Sequence, residues 1–136
     1  MSRAVERSVV SEWQDSLRCE VQAGRFRLIV DEPESAGGSD MGPQPTELFL
    51  SSVASCFTLA LAYSAKRRGT VVDAINVTVT GVYDGPRFRS VRVHAHVACD
   101  PAELPGLVQQ AERVCYVTNT LRSELTLEIV PELIGA

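Results

Sequence analysis

The chain has 136 residues, 45% apolar and 22% charged, proportions ordinary for one folded, soluble domain over 1–136. A net charge of −4 and a pI near 5.2 argue against a broad basic surface, so neither nucleic acid nor an anionic membrane is expected as a partner. "MSRAVERSVV" is too charged for a secretory leader, no run of about 18 residues lacks polar breaks, and a cytoplasmic address is expected.

Residues 5–31 alternate loosely and carry β-formers, with Gly24 between candidate strands at 16–23 and 25–31, a hairpin signal. Residues 32–45, "EPESAGGSDMGPQP", form a loop by every local signal. The loop lacks the terminal Gly-Lys-Ser/Thr of a phosphate loop and the spacing of a dinucleotide fingerprint, so a structural role is expected.

A long helix over about 45–68 follows. Pro45 suits its first position, Glu47 its first turn, Lys66, Arg67 and Arg68 its last, and Gly69 its C-terminal cap. Between these ends Leu48, Phe49, Leu50, Val53, Phe57, Leu59, Leu61 and Tyr63 leave no broad polar face. A helix apolar all round must be covered on all sides, and one small chain has limited material for that. A second copy is expected to help cover it.

Residues 74–83, "AINVTVTGVY", alternate as a half-buried strand, and after the turn at 84–87 "SVRVHAHVAC" does the same. His94 and His96 project to one face of that strand, but a metal site needs a third ligand and none follows nearby, so a solvated face and no metal are expected. A helix from Pro105 to about Cys115 and a last strand over 123–130 complete the order β-β-α-β-β-α-β, an α+β fold.

The four cysteines, Cys19, Cys56, Cys99 and Cys115, form neither a CxxC pair nor a zinc-finger cluster. Cys19 and Cys99 read as small packing residues. Cys56 and Cys115 keep more distinctive company. The combination of "GGSDMGPQPTELFLSSVASCF" with "AERVCYVTNTL" about sixty residues on resembles the OsmC/Ohr family of osmotically inducible and organic hydroperoxide resistance proteins. The resemblance runs from about Trp13 to Val130 and suits a less characterised OsmC-like branch. It implies an intertwined homodimer with the long cysteine-bearing helices central and the sheets packed around them.

The resemblance also implies a reaction. Cys56 matches the family's peroxidatic cysteine and Cys115 its resolving cysteine, acting on small apolar hydroperoxides and restored by an external dithiol such as dihydrolipoamide, with no bound cofactor. An apolar setting alone raises a thiol's pKa, so a nearby cation is required. The family draws it from an arginine of the N-terminal hairpin, held by a helix glutamate. Arg18 is the best match here, with Arg25 and Arg27 as alternatives. The glutamate is displaced: Thr46 stands ten residues before Cys56, about 80° around the helix from it, and Glu47 about 180° away. Glu47 is therefore either a first-turn charge or a partner for an arginine of the other chain. Tyr116 replaces a proline common after the resolving cysteine. The alternative to an enzyme is a non-catalytic dimer that binds an apolar or thiol-containing small molecule at its interface.

Overall fold

The computed structural model describes residues 5–135. The chain divides into two compact units at Ser51/Ser52, and one continuous helix runs through the division.

The first unit holds a three-stranded antiparallel sheet, β1 (Val10–Asp15), β2 (Arg18–Ala23) and β3 (Phe26–Val30), in the order β1-β2-β3. The expected hairpin is thus β2–β3, turned at Gly24 with φ +62°, a left-handed conformation that glycine adopts without strain. Sequence reading missed β1 as a separate strand, because the turn before β2 is made by Ser16 and Leu17 rather than by glycine or proline. Ser16 itself takes φ +48°.

The loop after β3 is organised by one carboxylate. Asp31 is fully buried, and its two oxygens accept from the backbone N–H groups of Glu32, Ser39 and Met41. The Asp31 N–H in turn donates to the Pro43 carbonyl at 3.1 Å, closing the loop. Gly42 lies so close to the Ile29 carbonyl that a Cβ there has no room, and Gly38 is equally hemmed by the Glu32 carbonyl. The glycine-rich segment is therefore a tightly packed turn.

Helix α1 (Pro45–Arg68) has the expected bounds. Its start carries one arm of a capping box: the Gln44 N–H donates to Glu47 Oε1 at 2.9 Å. At its end Gly69 takes φ +72° and the Thr70 N–H reaches back to the Ala65 carbonyl, the Schellman pattern.

In the second unit β4 (Ala74–Tyr83) and β5 (Phe88–Ala98) form a long antiparallel pair with the expected alternation. Ile75, Val77, Val93, Ala95 and Val97 turn inward against a core of Phe57, Ala60, Leu61 and Ala65 from α1 and Leu107 and Ala111 from α2 (Leu104–Val114). His94 and His96 lie on the outer, exposed face with ring centroids 4.3 Å apart, and no group of three metal-ligating side chains occurs among the described residues.

Two expectations are corrected. The final helix does not simply end at Cys115: α2 stops at Val114, Cys115 takes an extended conformation, and a further helix α3 (Tyr116–Arg122) follows. The strand expected over 123–130 is not formed within the chain. A strand exists only when its backbone groups pair with a neighbour, and neither sheet of the described residues extends to this segment. Its alternating Leu125, Leu127 and Ile129 are exposed instead. Within the single chain α1 is buried along one stripe, Val53, Phe57, Ala60, Leu61, Ser64 and Ala65, while Leu59 and Tyr63 on the opposite side are 68% and 52% exposed. By length and a mean hydropathy of 1.6 over its most apolar window, α1 also satisfies the size of a membrane-crossing helix; its buried stripe against α2 and β4–β5 gives it the place of a core helix.

Candidate thiol site

The second unit brings Cys56 and Cys115 together from 59 positions apart in sequence. Cys56 is carried by the middle of α1. At about 100° per residue it falls on the seam between the buried stripe and the bare side that presents Leu59 and Tyr63. Accordingly it is half-buried, whereas Cys115 is completely buried. Both are free thiols.

Cys115 owes its setting to the break between two helices. It is the last cap of α2, its N–H bonding to the Ala111 carbonyl, and the residue that opens α3. Burial pushes its thiol pKa up, but the hydroxyl and N–H of Thr118, the Cys56 thiol and the Val117 N–H favour the anion and together hold it below the ordinary thiol value. The Thr118 hydroxyl also donates to the Cys115 carbonyl at 3.4 Å. None of the α3 amides closes a full capping hydrogen bond, so their effect is the pull of oriented dipoles on a sulfur anion. The Cys56 S–H is placed to donate to that anion. Sequence reading missed this device; the signal was a cysteine directly before the helical "YVTNTLR" with Thr at its third position.

The other candidates lie in the first unit. Arg18 is half-buried, and its Nε donates to Gln14 Oε1 at 3.3 Å. The β2–β3 register pairs Cys19 with Val30, so one step further along the ladder sets Arg18 across from Asp31. Burial pushes the Asp31 carboxyl up, yet the amides of Glu32, Ser39 and Met41 and the positive field of Arg18 outweigh it and keep it below the usual carboxylate range. Arg25 and Arg27 are exposed. Arg25 lies over the Phe26 ring at 4.8 Å and Arg27 pairs with Glu20 at 3.5 Å. The exposed Glu47 carboxylate serves the helix cap. Cys19 is half-buried in the first sheet opposite Trp13 and Val30, and Cys99 is half-buried against the main core.

Two small antiparallel sheets, a long central helix carrying a cysteine, and a second cysteine set against it at a helix junction define an α+β protein with a paired-thiol site. Comparison with known proteins gives this class a family. The profile of the family described as OsmC-like protein matches residues 37–130, and the chain belongs to that family. Peroxiredoxin OsmC of Escherichia coli K12 is 27% identical over 96 residues, 65% of this chain and 67% of its own. The crystal structure of an OsmC-like protein from Mycoplasma pneumoniae superposes with a TM-score of 0.76 at 16% identity, covering 88% of this chain and 89% of that one. A protein from Vibrio cholerae O1, assigned to organic hydroperoxide resistance and holding captopril in one of its active sites, superposes with a TM-score of 0.69 at 26% identity, over 90% and 88% of the two chains.

Proposed function

We propose that this protein is a thiol-dependent peroxidase that reduces organic hydroperoxides to alcohols. The Cys56 thiolate attacks the distal peroxide oxygen, the O–O bond breaks, and the alkoxide takes a proton and leaves as alcohol, with Cys56 oxidised to a sulfenic acid. The Cys115 thiolate then attacks the Cys56 sulfur, expels hydroxide that leaves as water, and closes a disulfide before irreversible oxidation occurs. An external dithiol, proposed as dihydrolipoamide in the cytoplasm, returns both thiols and becomes a disulfide itself.

The observation that carries this reading is the contact between two free thiols brought from distant parts of the chain, one reachable and one buried with its anion favoured. Arg18 is the arginine proposed for this chemistry, on the family resemblance and because it is the half-buried one of the three. Glu47 acts in this reading as a first-turn charge. The bare side of α1 and the unpaired, alternating segment after α3 support a homodimer in which a second copy covers both. The apolar residues flanking Cys56 favour a hydroperoxide with an apolar body.

Cumene hydroperoxide and, separately, hydrogen peroxide added to fully reduced protein test the proposal. The expected result is stoichiometric loss of the organic peroxide with a Cys56–Cys115 linked peptide in the mass spectrum, and slower loss of hydrogen peroxide. Free thiols beside undiminished peroxide overturn it. The captopril held by the Vibrio cholerae relative favours a second reading, a dimer that binds an apolar or thiol-containing small molecule without turnover. That reading expects a saturable rise in melting temperature with ligand and no peroxide loss.

A further inference from the structure

A disulfide between unlike sulfurs can be opened from either side, and three things decide the side: access to the attacked sulfur, the leaving thiol's acidity, and the environment left behind. The two sulfurs here differ on each count. Cys56 lies at the seam of α1 and is half-buried; Cys115 is completely buried beneath the α2–α3 junction and offers no approach to an external thiol. We propose that the external dithiol attacks the Cys56 sulfur of the Cys56–Cys115 disulfide, so that the mixed disulfide forms on Cys56 and Cys115 departs as the thiolate. The inference rests on reading the pair as a redox couple, and adds the direction in which that couple is reset.

The step balances without a further reactant. One thiolate of the dithiol bonds to Cys56 Sγ, the Cys56–Cys115 bond breaks, and its electron pair leaves on Cys115. The second thiolate of the dithiol then attacks its own bonded sulfur, closes a cyclic disulfide and expels the Cys56 thiolate, which takes up a proton. Cys115 suits the leaving role: against the penalty of burial, the Thr118 hydroxyl and the N–H groups of Val117 and Thr118 favour its anion. The half-exposed thiol therefore meets both small reactants, peroxide and dithiol, and the buried one meets neither.

The test forms the disulfide with diamide, so that it does not depend on peroxide chemistry. N-acetylcysteine, a monothiol that cannot close a ring, is then added, and the reaction is quenched with excess N-ethylmaleimide and mapped by peptide mass spectrometry. The expected product carries N-acetylcysteine on Cys56 and maleimide on Cys115, in at least tenfold excess over the reverse. The reverse pattern, equal labelling, or failure of diamide to link the pair overturns the proposal. Thr118→Val should slow reduction several-fold with the label still on Cys56, and Thr118→Ser should restore the rate; an unchanged rate in Thr118→Val removes the leaving-group argument. Because the oxidant is diamide, correct labelling beside an absence of peroxide turnover refutes the peroxidase reading alone.

Discussion

Ser64 lies on the buried stripe of α1, completely inaccessible, and its hydroxyl has no hydrogen-bond partner among the described residues. Removing that oxygen should stabilise the protein. An unpaired buried hydroxyl costs about 1–3 kcal/mol. Ser64→Ala relieves this and gains about 0.4 kcal/mol of helix propensity. Against that stands a void the size of one oxygen, roughly 15 Å³, which at about 24 cal/mol per Å³ costs ~0.4 kcal/mol. The net expectation is a gain of about 1–3 kcal/mol, or with an unfolding entropy of ~0.3 kcal/mol/K for a chain of this length, a melting point roughly 3–10 °C higher. Scanning calorimetry at one fixed protein concentration reads it, since any self-association moves the melting point as well. Ser55→Ala is the control. Ser55 is exposed on the same helix and its hydroxyl reaches the Ser52 carbonyl at 3.4 Å, so propensity alone should shift it by about 1 °C. A Ser64→Ala protein that melts below wild type, or merely matches Ser55→Ala, refutes the reasoning and means that the Ser64 hydroxyl is satisfied in solution.

Cys115 has a folded pKa below its unfolded one, so between the two the unfolded chain binds more protons and stability rises with pH. The urea midpoint of reduced protein should climb as pH approaches the ordinary thiol value near 8.5, and Cys115→Ala should lose that climb. Asp31 is likewise held low, which makes its contribution fully present above the unfolded carboxyl value of about 3.9 and lost as pH falls through the folded value. Asp31→Asn should therefore flatten the acid limb of the stability profile while lowering stability at neutral pH. Gly42→Ala drives a Cβ into the Ile29 carbonyl and should cost at least about 1–3 kcal/mol, read as a lower urea midpoint and faster proteolysis in the loop at 32–43.

Long, strongly patterned elements were legible in the sequence, and short ones were not. Pro45 and Gly69 punctuate α1 so strongly that both of its bounds were read correctly, and the strict alternation from Ala74 to Tyr83 did the same for β4. By contrast β1 was hidden because Ser16 makes its turn at a left-handed angle that serine rarely takes. The junction at Cys115 was hidden because no glycine or proline marks it, and a buried cysteine stands at the cap position instead. The thiol pair came from family resemblance, since no local pattern reveals that residues 59 positions apart will meet. Arg18 was singled out from the same source; its placement across from the buried Asp31 follows from strand register, which composition cannot supply.

The unpaired segment after α3 and the bare side of α1 belong to one physical argument. The sequence alternates over 123–130 as firmly as over 74–83, yet only the second stretch has a ladder to join, so the same periodicity yields a strand in one place and an open chain in the other. Likewise α1 is apolar on both sides, and the chain's own core consumes one of them. Periodicity records what a segment is able to bury; it does not record which chain does the burying. Cys56 sits where the covered and uncovered sides of α1 meet. A second copy covering that bare side, as proposed, would also bound the surroundings of Cys56, so the proposed assembly and the proposed substrate preference draw on the same exposed residues, Leu59 and Tyr63 among them.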